Sequence, residues 1–419
     1  MSFESALSGL NSASKNLDVI GNNVSNASVV GFKGSQAQFA DVFANSLISG
    51  SSNLVGIGSK VAAVAQGFSQ GNISSTSNAL DIAINGRGFF RMDDNGVVAY
   101  SRNGQFHFNN QGYIVNDREL KLTGYNADAN GNIVTASPSP IQISFSDINP
   151  QKTTALTIGL NLDSREAAPP TALFTSTDPN SYNHSTSASV FDTLGNPHVL
   201  TTYYAKNATA NQWQVYGTID GSQLGADIGA GTVGGLPAGV GLPVTLNFDT
   251  SGRLTTAMPL NASVPSTTGS VTPLGFTVTY NGSTQFGSAF GVNTLAQDGF
   301  ASGRLAGFSV GNDGIIVGSY TSGQTRNLGQ LVLADFRNAQ GLAPLGNNVW
   351  ADTSASGLAI IGTPSSGSLG SVASSSVEDS NVDLTAELVA MITAQRDYQA
   401  NAQTIKTQDA ILQTLVNLR

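Results

Sequence analysis

The chain has 419 residues, more than one hydrophobic core usually organises, so at least two folding units are expected. Charged residues make up only 11% of it, against roughly 25% in ordinary soluble proteins, and the net charge of -9 supplies no basic field for nucleic acid or anionic lipid. It has no cysteine, which excludes disulfide frameworks, thiolate metal sites and cysteine nucleophiles together.

The N-terminal stretch Met1 to Ala6 has no basic segment leading into an apolar one. No run approaches the roughly 18 apolar residues of a membrane span, so neither a cleaved signal peptide nor membrane insertion is expected. Phe3, Ala6, Leu7, Leu10, Ala13, Leu17, Ile20, Val24 and Ala27 then recur at helical spacing and predict one amphipathic helix ending before Gly31. Residues 33–70 mix Gly, Ser and Ala with Phe39, Val42, Phe43, Val61 and Val64, which reads as an extended connector with one short helix.

After Gly71 the pattern is that of strands: Ala79 to Ile84, Gly88 to Met92 and Val97 to Tyr100, with turn signals at Asp94-Asn95-Gly96, Asn110-Gln111-Gly112 and Asn130-Gly131. Strand signals continue at Ala155 to Leu162 and Pro197 to Tyr204, pause in a Gly-rich loop between Gly221 and Gly241, and resume at Gly314 to Val317 and Gln330 to Ala334. The simplest arrangement is an inner β domain of residues 71–146 and 288–363 with an outer β domain, 147–287, inserted in it. The expected fold is therefore mainly β with α-helical termini: two nested β domains plus a helix pair, 1–32 and 371–419, forming a coiled-coil-like assembly domain.

The sequence carries 47 Gly and 14 Pro, yet neither occurs after Gly370. Ser380-Asn381-Val382-Asp383 reads as a capping box, with Glu378, Asp379 and Asp383 placed where a helix N-terminus favours negative charge. Leu384, Leu388, Met391, Tyr398, Ala402, Ile405, Leu412 and Val416 follow in alternating steps of four and three, interrupted by Gln395 and Asp409. A helix of that length spans roughly 55 Å, too long for one narrow face to hide against a small domain. Helices of this kind are marginal alone in water, so the two ends are expected to order only when packed. They could do so against each other as an intramolecular hairpin or against other copies.

Motifs that suggest chemistry are weak in context. Gly229 to Gly234 satisfies a dinucleotide-loop pattern, but Gly235-Leu236-Pro237 follows, where a helix would have to begin. Gly307-Phe308-Ser309-Val310-Gly311 satisfies the nucleophile-elbow pattern, but no histidine follows His198 and the context is a hairpin. Asn126, Asp128, Asn130 and Gly131 resemble the start of a calcium loop whose twelfth position is Ser137 instead of Glu, so an Asx-type turn is expected. His107, His184 and His198 show no ligand spacing with acids and read as surface or cross-strand residues. No catalytic, cofactor-binding or metal site is expected.

The residues resemble the bacterial flagellar hook protein family, within the wider rod and hook group of axial flagellar proteins. Ser8-Gly9-Leu10-Asn11, Leu17 to Asn26 and Val30-Gly31-Phe32-Lys33 carry the group resemblance. Leu80 to Ile84 with Gly88-Phe89-Phe90, Tyr100 to Phe106, Leu122 to Tyr125 and the tail from Ser380 to Asp409 narrow it. Phe191 to His198 and Phe248 to Gly252 resemble the inserted outer domain of hook proteins, which rod proteins generally lack.

The resemblance implies a homo-polymer whose terminal helices line an inner tube and whose β domains form outer layers. It implies export by the flagellar type III apparatus, assembly beneath a hook cap, and junctions with the rod and with hook-filament junction proteins. The product would be a curved universal joint passing torque from rod to filament. Assembly is then expected to rest on Phe3, Leu7, Leu10, Leu17, Ile20, Val24, Leu384, Leu388, Met391, Tyr398, Ile405, Leu412 and Val416. A distal rod subunit and, in a different class, a secreted β-rich hydrolase or adhesin remain alternatives.

Overall fold

Among the described residues, two α-helices frame a chain whose other regular elements are strands and short 3-10 turns. The computed structural model describes residues 3–42, 58–223, 244–264, 269–271 and 274–417; the dinucleotide-like Gly229 to Gly234, most of the Gly-rich loop and Phe43 lie outside the described residues. The mainly β architecture with terminal helices agrees with the sequence reading. The chain divides into two units, one of Met1–Phe145, Gly307–Gly318 and Thr325–Arg419, the other of Ser146–Ala306 and Ser319–Gln324.

The first unit opens with α1 (Phe3–Ser25). β1 (Ser35–Val42) and β2 (Gly58–Gln66) then pair antiparallel, from Ser35 opposite Gln66 to Val42 opposite Gly58. The connector is thus a hairpin, and the short helix read there is not found among the described residues. β3 (Ile73–Ser75) and β4 (Ile82–Asn85) pair with the returning strands Ser376–Glu378 and Ser371–Ser374. The segment 371–378 expected in the helical domain is therefore strand, held by the ladder it completes.

β5 (Phe89–Asp94) and β6 (Val97–Ser101) meet at Asn95-Gly96, where both residues take positive φ (50 and 100), the twist that matches right-handed strands. The sheet continues on one side through 121–126 to 325–331 and on the other through 349–351 to 343–346. One core gathers Phe89, Tyr100, Phe336, Leu342 and Trp350, with Phe68 packed against it. Its rings meet edge to face, for example Phe89 and Trp350 at 5.8 Å.

The second unit packs a sheet ordered 260–264, 274–279, 155–161, 291–297 against another made of 184–191, 197–206, 212–219 and 222–223, with 244–247 also on 212–219. Alternate residues of both sheets, including Ile158, Leu160, Val190, Tyr204, Trp213, Val215 and Phe276, share one buried core. The unit runs past the expected boundary at 287 because Gly291–Gln297 pairs with Ala155–Asn161.

Ser309 lies on a strand, 305–310, followed by a turn and the strand 315–320, which is not an elbow into a helix. Asp128 forms the expected Asx turn, its carboxylate accepting from the backbone N of Asn130 at 2.8 Å and of Asn132 at 2.9 Å. The same pattern, a side-chain oxygen accepting from the amides two and four residues ahead, recurs at Asn109, Asn116, Asp192 and Asp249. It closes short turns without using other charged groups, in keeping with a chain so poor in them.

Candidate assembly surface

α2 (Leu384–Asn417) starts at Asp383, whose carboxylate accepts from the amides of Thr385 at 2.9 Å and Ala386 at 3.2 Å. The expected cap, Ser380, instead accepts from Val382 at 3.2 Å in the turn before the helix. Asp383 wins because its position places an anionic acceptor directly on the free amides of the first turn.

The two helices pack on each other antiparallel within one chain. A Cβ on Gly9 would lie 2.7 Å from Asn401 Oδ1, and Asn23 Nδ2 donates to Glu387 Oε1 at 2.9 Å. The step from 9 to 23 on α1 therefore matches the step from 401 back to 387 on α2. Extending that register places Phe3 opposite residue 407. The last turns of α2 run beyond the start of α1.

The close approach is at Gly9. Ala6, Ala13 and the larger Ile20, seven apart, are buried on α1, and Ala394 is buried on α2. Ser8 and Ser12 turn to the hairpin, with Ser12 Oγ 3.0 Å from Ser59 Oγ and Ser8 Oγ accepting from Ser59 N at 3.2 Å.

The expected interface residues are divided by this packing. Phe3 opens α1. Ile20 is buried, while Leu10, Leu17, Val24, Met391 and Ile405 are half-buried. Leu7, Leu384, Leu388, Tyr398, Leu412 and Val416 stay exposed, and Val389, Ile392 and Ile411, absent from the expected stripe, join them. The stripe is satisfied in part inside one molecule, the intramolecular pairing that the sequence left open beside packing against other copies. What remains is an apolar arc along α2, adjacent to the side that meets α1, and an overhanging tip bearing Ile411, Leu412 and Val416. Apolar side chains repeated along one helix in this way are the usual material of an interface.

At the roots of the helices the chemistry changes. Lys33 and Glu378 are fully buried and paired at 2.7 Å, and Arg102 Nη1 lies 3.3 Å from the other Glu378 oxygen. Burial pushes the Lys33 ammonium below its ordinary value, against the raising pull of Glu378; Arg102 is lowered by burial in the same way, with Glu378 and Asp335 opposing. Asn23 links this region to α1, donating to Ser35 O at 2.7 Å and accepting from Ser35 N at 2.9 Å.

Sequence reasoning noted the segments around Asn23, Lys33 and Arg102 without assigning them a physical role. His198, read as a surface or cross-strand residue, lies on the strand 197–206 and is largely buried, with Nδ1 2.6 Å from Asp220 and Nε2 3.5 Å from Asp192. Among the described residues no group of three or more His, Cys, Asp or Glu could hold a metal ion, and no helix there is long and apolar enough to cross a membrane.

The geometry can be set beside known proteins. Residues 3–33 match the flagella basal body rod protein family and 83–161 the flagellar hook protein FlgE/F/G D1 domain. Residues 161–300 match the flagellar basal body protein FlaE D2 domain, and 373–418 the flagellar basal body rod FlgEFG protein C-terminal family. The flagellar hook protein FlgE of Salmonella typhimurium is 42% identical over 425 residues, covering 100% of both chains. That of Escherichia coli is 41% identical with the same coverage, and that of Borreliella burgdorferi 32% identical, covering 100% of this chain and 99% of its own. The crystal structure of Helicobacter pylori flagellar hook protein FlgE2 shares the fold with a TM-score of 0.50 over 73% of this chain and 99% of that one, at 13% identity. With such identity across the full length of its relatives, this chain belongs to the flagellar hook protein family and is a structural subunit of the hook.

Proposed function

We propose that copies of this chain assemble through the apolar arc and overhanging tip of α2, helix pair against helix pair, into the inner wall of a tube. The observation that carries this reading is the exposure of Leu384, Leu388, Val389, Ile392, Leu412 and Val416 on a helix already packed on its other side. Phe3, Leu7, Leu10, Leu17, Ile20, Val24, Met391, Tyr398 and Ile405 complete the proposed assembly set, some by contacting other copies and some by shaping the helix pair. The β units form the outer layers, nested as inner and outer domains. With so few charges on the chain, neighbouring outer domains can shift as the tube bends without separating many ion pairs.

The same reading gives the partners and the route. The subunit leaves the cell through the flagellar type III apparatus, adds beneath a cap, and meets the rod at one end and hook-filament junction proteins at the other. As a polymer element it performs no catalysis and needs no cofactor. The test is complementation of a hookless strain with the tagged protein. Curved tubes of this protein between rod and filament are expected in electron micrographs of purified basal bodies; its restriction to the straight rod would contradict the reading.

A further inference from the structure

Glu378 gathers the segment that leaves α1 and the one that leads into α2. Its Oε1 accepts from Lys33 Nζ at 2.7 Å and from Gly71 N at 2.9 Å, and its backbone O accepts from Gly31 N at 2.7 Å. Lys33 also donates to Ser69 O at 2.8 Å, and Arg102 donates to Gly86 O at 2.7 Å and Ile84 O at 3.4 Å. Asn381 completes the ring, accepting from Gly34 N at 2.8 Å and donating to Gly67 O at 2.7 Å. The residues just after α1, those just before α2, the end of the connector hairpin and the turn between β4 and β5 are thus held by one network whose centre, Lys33, Arg102 and Glu378, is buried.

The contrast with the helices above it is chemical. The buried apolar residues of α1 and α2 include Ala6, Ala13, Ile20 and Ala394, whose contacts are non-directional. A buried carboxylate facing two buried cations has few acceptable arrangements, because moving any member leaves a charge unpaired away from water.

We propose that Lys33, Arg102 and Glu378 form a rigid joint that fixes the roots of both terminal helices to the β sheet of the first unit. A twist applied to the helix pair then passes into the sheet and is not absorbed at the root. This rests on the hook reading for its biological meaning, but its test does not.

The test is amide hydrogen exchange on the soluble full-length protein. In Glu378→Gln, the amides of Gly31, Gly71 and the first turns of α2 should exchange at least tenfold faster as a group, while the β5 and β6 ladder is unchanged. Lys33→Met should give the same pattern, and it is the variant to read if Glu378→Gln does not fold. Unaltered helix-root amides, or a ladder loosened to the same degree, would overturn the proposal. So would failure of both variants to fold, since the cluster would then be a determinant of the whole fold. Because the measurement uses the monomer, absence of tubes from the unmodified protein would count against the hook reading alone.

Discussion

Gly9 of α1 lies so close to Asn401 of α2 that a Cβ built on it would stand 2.7 Å from Asn401 Oδ1. The neighbouring atom is the end of a side chain, which can turn aside, so Gly9→Ala should be tolerated. The gain in helix propensity, about 1 kcal/mol, offsets the displacement of Asn401. Gly9→Leu cannot be accommodated that way and should cost about 1 to 3 kcal/mol as an overpacked contact. Urea unfolding of the two variants followed by helical circular dichroism checks the difference.

The cap of α2 offers a second discrimination. Asp383→Ala removes the acceptor for the Thr385 and Ala386 amides and should cost about 1 kcal/mol, with faster exchange in the first turn. Ser380→Ala, which the sequence pattern would rank as the damaging change, should cost clearly less. Equal losses in the two variants would move the cap back to Ser380.

Glu119 occupies a left-handed position (φ 60) in the turn capped by Asn116. Glycine fills the corresponding place at Gly112, Gly131, Gly195 and Gly252, each with positive φ. Glu119→Gly should therefore stabilise the first unit by about 0.5 to 1 kcal/mol, the relief of strain exceeding the added freedom of the unfolded chain. The substitution also removes an exposed charge pairing with His107 at 3.9 Å, of a kind that contributes little. A higher urea midpoint at unchanged slope is the expected result.

His198 makes the second unit sensitive to pH. Burial lowers its imidazole, but the hydrogen bonds and charges of Asp220 and Asp192 outweigh burial and raise it above the ordinary value of 6.5. A folded value above the unfolded one means that its stabilisation is fully present below pH 6.5 and is lost as pH rises through the folded value. Asp220 acts at the other end: burial raises it, the His198 bond and the Val199 amide outweigh burial, and its contribution is lost as pH falls below the ordinary value of 3.8. The denaturation midpoint of the second unit should decline above pH 6.5 in the unmodified protein. In His198→Gln that decline should be absent.

Legibility in the sequence followed the range of the forces involved. The turn at Asn95-Gly96 and the strands around it could be read because two residues settle the local geometry. The hairpin of β1 and β2 was obscured because its strands are rich in Ser, Gln and Ala and lack a clean alternation. The packing of α1 on α2 was not legible because the residues buried or closely approached there include Ala6, Gly9, Ala13 and Ala394. Small residues permit close approach without forming a visible apolar stripe, so the larger residues, of which Leu7, Leu384, Leu388, Tyr398, Leu412 and Val416 are left exposed, dominated the pattern. The joint at Lys33, Arg102 and Glu378 joins positions far apart in the chain, and no local spacing announces it.

The most direct test of the account uses the exposed arc. Ile405 is half-buried, so a charge there would disturb the helix pair as well as any contact with another copy; Leu388 and Leu412 are 44% and 53% exposed and separate the two effects. Leu388→Asp combined with Leu412→Asp should leave the monomer's unfolding midpoint nearly unchanged, yet polymer should be absent from sedimentation and from electron micrographs under conditions where the unmodified protein forms tubes. Normal tubes from the double variant would contradict the claim that these side chains join one subunit to the next.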